Sequence, residues 1–358
     1  MANDPRPIIV PVGGFLGAGK TRLLLRAAQI LKDRGIHSGI VTNDQGEQLV
    51  DTQWAEGSGL STEEVTGACF CCRFSELMEA AGQLLRLKPA VIFIEPVGSC
   101  TDISATVLQP IKAYYHADFR LAPYTVLVDP ARAKEMSGLK ADPKLQYLFW
   151  EQMEEADLIC WTKCDLFPSP PPLKDFTNVR RLSAKTGVGV AAWLAEVVGG
   201  CIEPGARLLH DLDYKLYAEA EATLGWLNWQ VTVNLATPLS PAALAGPLFD
   251  AIEAMLTGAN APIMHLKLLD RCATGFVEAA VCSNQTEPEV EGDLTASPAL
   301  EHEIAVNIRA KCDPEQLSRV AAEAFQHVPG TVGFVRQESF QPGAPRPEHR
   351  FKETVKTD

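Results

Sequence analysis

Apolar positions in the first two hundred residues come as short β-rich runs alternating with stretches of helical periodicity, the order a doubly wound parallel sheet requires. The strand candidates are Ile8–Val12, Gly39–Asn43, Ala90–Glu95, Tyr124–Asp129, Asp157–Thr162 and Asn178–Ser183. Helical patterns fall between them: Lys20–Arg34 ends at Gly35, suited to a C-cap, and Ser75–Leu87 opens on an N-capping serine and closes before Pro89. Beyond a linker near Gly199–Arg207 the pattern changes. Strand Trp229–Leu235, helix Pro241–Leu256, strands Ile263–Leu269, Gly275–Cys282 and Glu303–Ala310, and helix Pro314–Gln326 suggest a smaller α+β domain of ferredoxin-like type. The expected divisions are residues 1–200, a linker over 201–225, a second domain over 226–339, and a Pro-rich charged tail over 340–358 expected to be disordered. The acidic stretch Ser283–Leu300 reads as a loop.

At 358 residues the chain has room for about two domains of ~100–200 residues each, and its 46% hydrophobic and 22% charged content is ordinary for a globular protein. No apolar run approaches the ~18–20 residues of a membrane span, and the N-terminus lacks a signal-peptide core. We therefore expect a cytoplasmic protein with no membrane partner. A net charge of −13 argues against a nucleic-acid partner, because neutralising phosphates needs a basic face. In a reducing compartment the ten cysteines should remain thiols, and only Cys69, Cys71 and Cys72 cluster. Cys100, Cys160, Cys164, Cys201, Cys272, Cys282 and Cys312 read as packing residues, and the seven scattered histidines receive no ligand role.

The segment from Gly14 to Thr21, Gly-Phe-Leu-Gly-Ala-Gly-Lys-Thr, fits the phosphate-loop pattern G-x-x-x-x-G-K-[ST] between a strand and a helix. Gly14, Gly17, Ala18 and Gly19 would turn backbone N–H groups toward a polyphosphate, Lys20 would reach the β and γ phosphates, and the Thr21 hydroxyl would ligate magnesium. Glu95, followed by Gly98 as E-x-x-G, stands where an acidic residue would orient the magnesium shell. Base identity rests on two later segments. Thr162-Lys163-Cys164-Asp165 is a variant of the Asn-Lys-x-Asp element, whose aspartate accepts from guanine N1 and N2, and Ser183-Ala184-Lys185 has the form of a turn that contacts guanine O6. Together they favour guanine over adenine.

Cys69-Phe70-Cys71-Cys72 places three thiols in four residues. In an extended chain Cys69 and Cys71 share a side, and a turn into the following helix would bring Cys72 round, giving up to three thiolates for a soft-metal site. The fourth ligand would be water, a carboxylate such as Glu64, or a partner's residue. Inert packing and a redox switch are the other readings of the same thiols.

In order, G-F-L-G-A-G-K-T, E-V-T-G-A-C-F-C-C, E-P-V-G, T-K-C-D and S-A-K resemble the CobW family of metallochaperone GTPases, related to the nickel-insertion GTPases of urease and hydrogenase. The resemblance covers about residues 8–200 and, more weakly, the C-terminal domain. It implies slow GTP hydrolysis with magnesium, zinc or cobalt held by the C-x-C-C thiols, and metal affinity coupled to nucleotide state. The implied partners are GTP and a client metalloprotein, with a nucleotide-dependent homodimer as a further expectation. The chain departs from the family pattern at Ala68, where glycine is usual, at Thr162, which replaces asparagine, and at Asn43-Asp44-Gln45-Gly46, which stands for N-E-x-G. Asp44, with Gln45 and Glu47, is a candidate for positioning the attacking water. Two other readings stay open: a P-loop kinase of small molecules, and a nucleotide-gated interaction protein whose thiols form a structural zinc clip.

Overall fold

Ile8–Gly14 are seven consecutive buried residues and form β1, the centre of a parallel sheet. Residues 4–43, 61–170, 173, 176, 179–284 and 286–356 are described by this computed structural model. The chain divides into two units, one running to Ala220 and including the segment from Ala344, the other spanning Glu221–Gly343.

In the first unit β2 (Ser38–Asn43), β3 (Ser61–Val65), β4 (Val91–Glu95), β5 (Arg120–Leu121), β6 (Thr125–Val128), β7 (Leu158–Trp161) and β8 (Val179–Arg181) join β1 in the order β3-β2-β4-β1-β6-β7-β8, with β5 beside the start of β1. Every pairing is parallel. The helices are α1 (Lys20–Asp33), α2 (Phe74–Leu84), α3 (Gln109–Tyr114, entered through a π-helical turn at Ser104–Leu108), α4 (Pro130–Met136), α5 (Pro143–Glu154), α6 (Val190–Val198) and α7 (Tyr214–Glu221). Leu23, Leu24, Ala27 and Leu31 of α1 and Trp193 and Leu194 of α6 pack on Ile8, Val10 and Val12, while Ile9, Ile92 and Ile94, alternating with them, are equally buried. Burial on both faces is what an all-parallel sheet demands. β3 was not foreseen, because Ser-Thr-Glu-Glu-Val at a sheet edge carries no apolar run.

In the second unit β9 (Gly225–Leu239), α8 (Pro241–Gly258), β10 (Ile263–Cys272), β13 (Ala299–Ala310), α9 (Pro314–Phe325) and β14 (Thr331–Phe340) form a βαββαβ core with strand order β14-β9-β13-β10, the ferredoxin-like arrangement. Both helices begin alike: Ser240 and Asp313 accept backbone N–H bonds as N-caps, and proline follows at the first helical position. β11 (Gly275–Val281) and β12 (Glu289–Gly292) extend the sheet beyond β10. β12 lies within the acidic stretch expected to be a loop; its Glu-Val-Glu-Gly sequence suits a solvated edge.

The residues between the two expected domains carry α7. The segment after β14, expected to be disordered, instead lies along the first unit, where the Phe351 N–H donates to the Ala105 carbonyl at 3.0 Å. Among the described residues no helix is long and apolar enough to cross a membrane.

Candidate functional site

Parallel pairing brings the carboxyl ends of β1, β2, β4, β6, β7 and β8 to one edge, where open α/β sheets bind ligands. β1 leaves that edge at Gly14, whose φ of 132° is foreign to other residues, and an added Cβ would lie 2.4 Å from the Leu127 carbonyl oxygen. Gly17 and Gly19 also have positive φ, and Gly19 is the N-cap of α1. The loop therefore turns its backbone into the start of a helix, where unpaired N–H groups and the dipole favour an anion.

Lys20, the first residue of α1, is 8% exposed and donates to the Gly14 carbonyl at 3.0 Å, with its ammonium 4.0 Å from Glu95 Oε1. The Thr21 hydroxyl donates to the same oxygen at 3.0 Å. Glu95 ends β4, where its register partner is Thr42 of β2. A threonine hydroxyl beside a carboxylate is the hard-oxygen donor set that suits magnesium, so the residues present fit that ion. Magnesium held there would supply charge stabilisation to a bound polyphosphate. Gly98 crowds this group: a Cβ there would meet Leu16 N and Lys20 Nζ, each at 3.1 Å. Asp44 lies outside the described residues.

At the other end of the edge, the Thr162 hydroxyl donates to the Val128 carbonyl at 3.3 Å, and Lys163, at a φ of 51°, pairs with Asp129 at 3.0 Å. The Cys164 N–H donates to the Leu182 carbonyl and so ties the two candidate base loops together. Ser183 is fully buried and closes its turn by accepting the Thr186 N–H at 3.1 Å, while Ala184 is partly covered and Lys185 and Asp165 are exposed.

Cys69, Cys71 and Cys72 form the thiol group. The N–H groups of Cys72 and Arg73 both donate to the Cys69 carbonyl, and this tight turn leads into α2 and brings the third sulfur round. The Sγ–Sγ separations are 2.7 Å for Cys69–Cys71, 3.4 Å for Cys69–Cys72 and 3.7 Å for Cys71–Cys72. Around a tetrahedral ion with metal–sulfur bonds of about 2.3 Å, sulfurs lie about 3.8 Å apart. Cys71 and Cys72 already meet that spacing, and Cys69 and Cys71 would have to open by about 1 Å. Glu64 sits on β3 opposite Thr42 and is not part of the donor group, whose ligand atoms all lie within 4.8 Å of one another.

Cys100, read from the sequence as packing, hydrogen-bonds the Cys69 sulfur, and that bond is the largest cause holding the Cys69 thiol well below its ordinary range, ahead of the bonds from Cys71 and Cys72. The converse holds for its neighbours. Cys71 is pushed well up by its bonds with Cys69 and Cys72 and by burial, and Cys72 rises to about 11, chiefly through Cys69. The thiol contacts thus favour ionisation at Cys69 over Cys71 and Cys72, and a metal bound by all three would displace the protons they carry.

Residues 8–186, half of the chain, match the model of the CobW/HypB/UreG nucleotide-binding domain. The chain belongs to the CobW/HypB/UreG family. It is 28% identical over 158 residues to the zinc chaperone YeiR of Escherichia coli (strain K12), covering 43% of this chain and 45% of that protein, so the chain spans less than half the length of this relative. Among solved structures it is similar to HypB from Helicobacter pylori in complex with nickel (16% identity, 55% of this chain and 87% of that one, TM-score 0.39). It is likewise similar to the Zn(II)-bound YjiA GTPase of Escherichia coli (16% identity, 90% and 99% coverage, TM-score 0.35).

Three further side chains, of which Asn43 opens the segment that stands for N-E-x-G, hold this edge together. Asn43, at the end of β2, donates to the carbonyls of Val65 at 2.9 Å and Ala68 at 2.8 Å and accepts the Phe70 N–H at 2.7 Å, so one amide fixes the loop that presents the thiols. Gln152 of α5 donates to the carbonyls of Gly98 at 2.9 Å and Cys100 at 2.8 Å. Asp129 caps α4 and pairs with Lys163. Of these, Asp129 has a local signal as an aspartate before a helix-opening proline, and Asn43 lies in the Asn-Asp-Gln-Gly segment, whose sequence does not announce the clasp.

Proposed function

We propose that this chain is a GTPase that couples GTP binding and hydrolysis to delivery of a transition metal, zinc or cobalt, to a client protein. The observation that carries the reading is the shortness of the path between the two chemistries. Gly98 stands against the Lys20 ammonium, and two residues later the Cys100 thiol contacts Cys69 of the trithiol group. A displacement of Gly98 by the terminal phosphate would reach the sulfurs through one turn of chain, which closes on itself by the Cys100 N–H bond to the Val97 carbonyl.

In this scheme Lys20 and the phosphate-loop N–H groups hold the β and γ phosphates, Thr21 and Glu95 hold magnesium, and Asp165 with Ser183, Ala184 and Lys185 receives guanine. Metal cargo sits on Cys69, Cys71 and Cys72. Soft thiolates favour zinc or cobalt over magnesium or calcium, and the family relative YeiR is named a zinc chaperone. Hydrolysis without a partner would be slow, because a client or a second copy would complete the water-positioning machinery.

The test is zinc and cobalt affinity of the full chain with GDP and with a non-hydrolysable GTP analogue, beside a variant carrying Cys69→Ser, Cys71→Ser and Cys72→Ser. The expected result is thiol-dependent binding that differs between the nucleotides by roughly 5–150-fold, the usual range of such coupling. Equal affinity in both states would leave a structural zinc clip. No binding would return the thiols to packing or redox chemistry.

A further inference from the structure

The C-terminal segment lies against the thiol group with a chemistry its sequence is built for. In Ala344-Pro345-Arg346-Pro347-Glu348 each proline biases the residue before it toward extended backbone, which lowers the entropy lost when the segment is ordered. The N–H groups of Arg346 and Glu348 both point inward: Arg346 N–H donates to Cys72 Sγ at 3.0 Å and Glu348 N–H to the Cys71 carbonyl at 2.9 Å. Pro347 between them and Pro345 before them have no N–H to leave unpaired.

Four further contacts fix the segment. The Glu348 carboxylate accepts from Ser75 Oγ at 2.6 Å and Ser75 N at 3.2 Å, capping the start of α2 directly after the thiols. The His349 ring sits edge-on to Phe74, with centroids 5.3 Å apart. Arg350 Nε donates at 2.7 Å to Asp102, whose side chain is 1% exposed, and Phe351 N–H donates to the Ala105 carbonyl. Asp102 has a φ of 64° and ends the turn that begins at Gly98 and contains Cys100. One face of the segment therefore grips the thiol loop and the next residues grip the turn beside the phosphate site.

We propose that residues 346–351 are a strap that positions Cys72, encloses the metal cargo and ties the thiol loop to the Gly98–Asp102 turn, so that the metal leaves when the strap lifts. Arg346, Glu348 and Arg350 are positioning residues that act through Cys71, Cys72 and Asp102. The inference rests on the metal-handling reading of the thiols, but its geometry is independent of it. Donation from a backbone N–H to a ligating sulfur is the kind of outer contact whose loss typically lowers metal affinity about 10–100-fold.

The experiment compares the full chain with a truncation after Gly343 and with the double variant Glu348→Ala/Arg350→Ala, which retains the chain's length should the truncation fold poorly. Two quantities are read: the rate of Cys72 alkylation in the metal-free protein, located by peptide mass spectrometry, and the rate of zinc transfer to a chromogenic chelator. The affinity for a fluorescent GTP analogue checks that the nucleotide site is intact. The strap predicts that both variants alkylate faster at Cys72 and release zinc about tenfold faster or more, with a smaller difference between GDP and GTP-analogue states. Unchanged Cys72 alkylation would overturn the strap alone. Faster alkylation with unchanged zinc release would also overturn it, because the segment would then cover the thiols without retaining the cargo. If the full chain bound no metal through its thiols, both the strap and the proposed function would fall.

Discussion

At Gly98 an added carbon would be crowded: a Cβ would lie 2.9 Å from Leu16 Cδ2 and 3.1 Å from both Leu16 N and Lys20 Nζ. The Leu16 side chain can move, but its backbone and the Lys20 ammonium are the parts that would face a phosphate in the proposed site. Because the Gly98 φ is outside the left-handed region, Gly98→Ala isolates crowding from backbone strain. Overpacking of this kind costs about 1–3 kcal/mol. If that cost falls on Lys20 and Leu16, affinity for a fluorescent GTP analogue should drop about tenfold with only a small fall in melting temperature. Unchanged affinity would detach Gly98 from the phosphate site. Residues of this sort divide by legibility. Lys20, Thr21 and Cys69–Cys72 could be read because their chemistry is contiguous in the chain. The clasp made by Asn43 and the contact made by Cys100 could not, because an amide that holds a loop more than twenty residues onward, or a thiol that meets another thirty-one residues back, leaves no local pattern.

At the scale of elements, the sequence announces the buried strands β1, β2, β4, β6 and β7 of the parallel sheet and β8 at its edge, while β3 and β12, also at sheet edges, were missed because their residues are mostly polar. The turn from Gly98 to Ser104 escapes pattern reading for a different reason, since it is held by side chains of distant helices rather than by its own sequence. Glu155, immediately after α5, is fully buried and accepts from Thr101 Oγ1 at 3.0 Å and Ser104 N–H at 2.9 Å. Burial is the largest cause pushing its carboxyl well above the ordinary value of 4.5. A group whose folded value lies above its unfolded one supports the fold fully below the unfolded value and loses that support as pH rises through the folded value. Stability of the first unit should therefore decline as pH climbs above 4.5 toward the raised value. Glu155→Gln cannot ionise and should flatten that part of the profile. Melting temperatures measured across pH for both proteins would show the two curves diverging as pH rises. Curves that remain parallel would mean Glu155 does not titrate in the folded state.

Across the whole molecule, each unit closes its own hydrophobic core, one around β1, α1 and α6 and the other around β9, β13, α8 and α9. The nucleotide and thiol residues and the C-terminal segment all belong to the first unit, although that segment lies at the far end of the chain from the phosphate loop. A ligand that binds only the native form stabilises it by RT ln(1 + [L]/Kd), about 2.7 kcal/mol at a hundredfold excess over Kd. That free energy enters the cooperative unit whose residues make the contacts. Hydrogen exchange with saturating GTP analogue and zinc should therefore slow at Ile8–Gly14, in the first turn of α1, through Gly98–Asp102 and at residues 346–351, leaving α8, α9 and the strands beneath them unchanged. Slowing spread evenly over both units would show that ligand binding and the second core unfold as one. Slowing confined to the phosphate loop, with the turn and the C-terminal segment unaffected, would break the path from phosphate to sulfur on which both proposals depend.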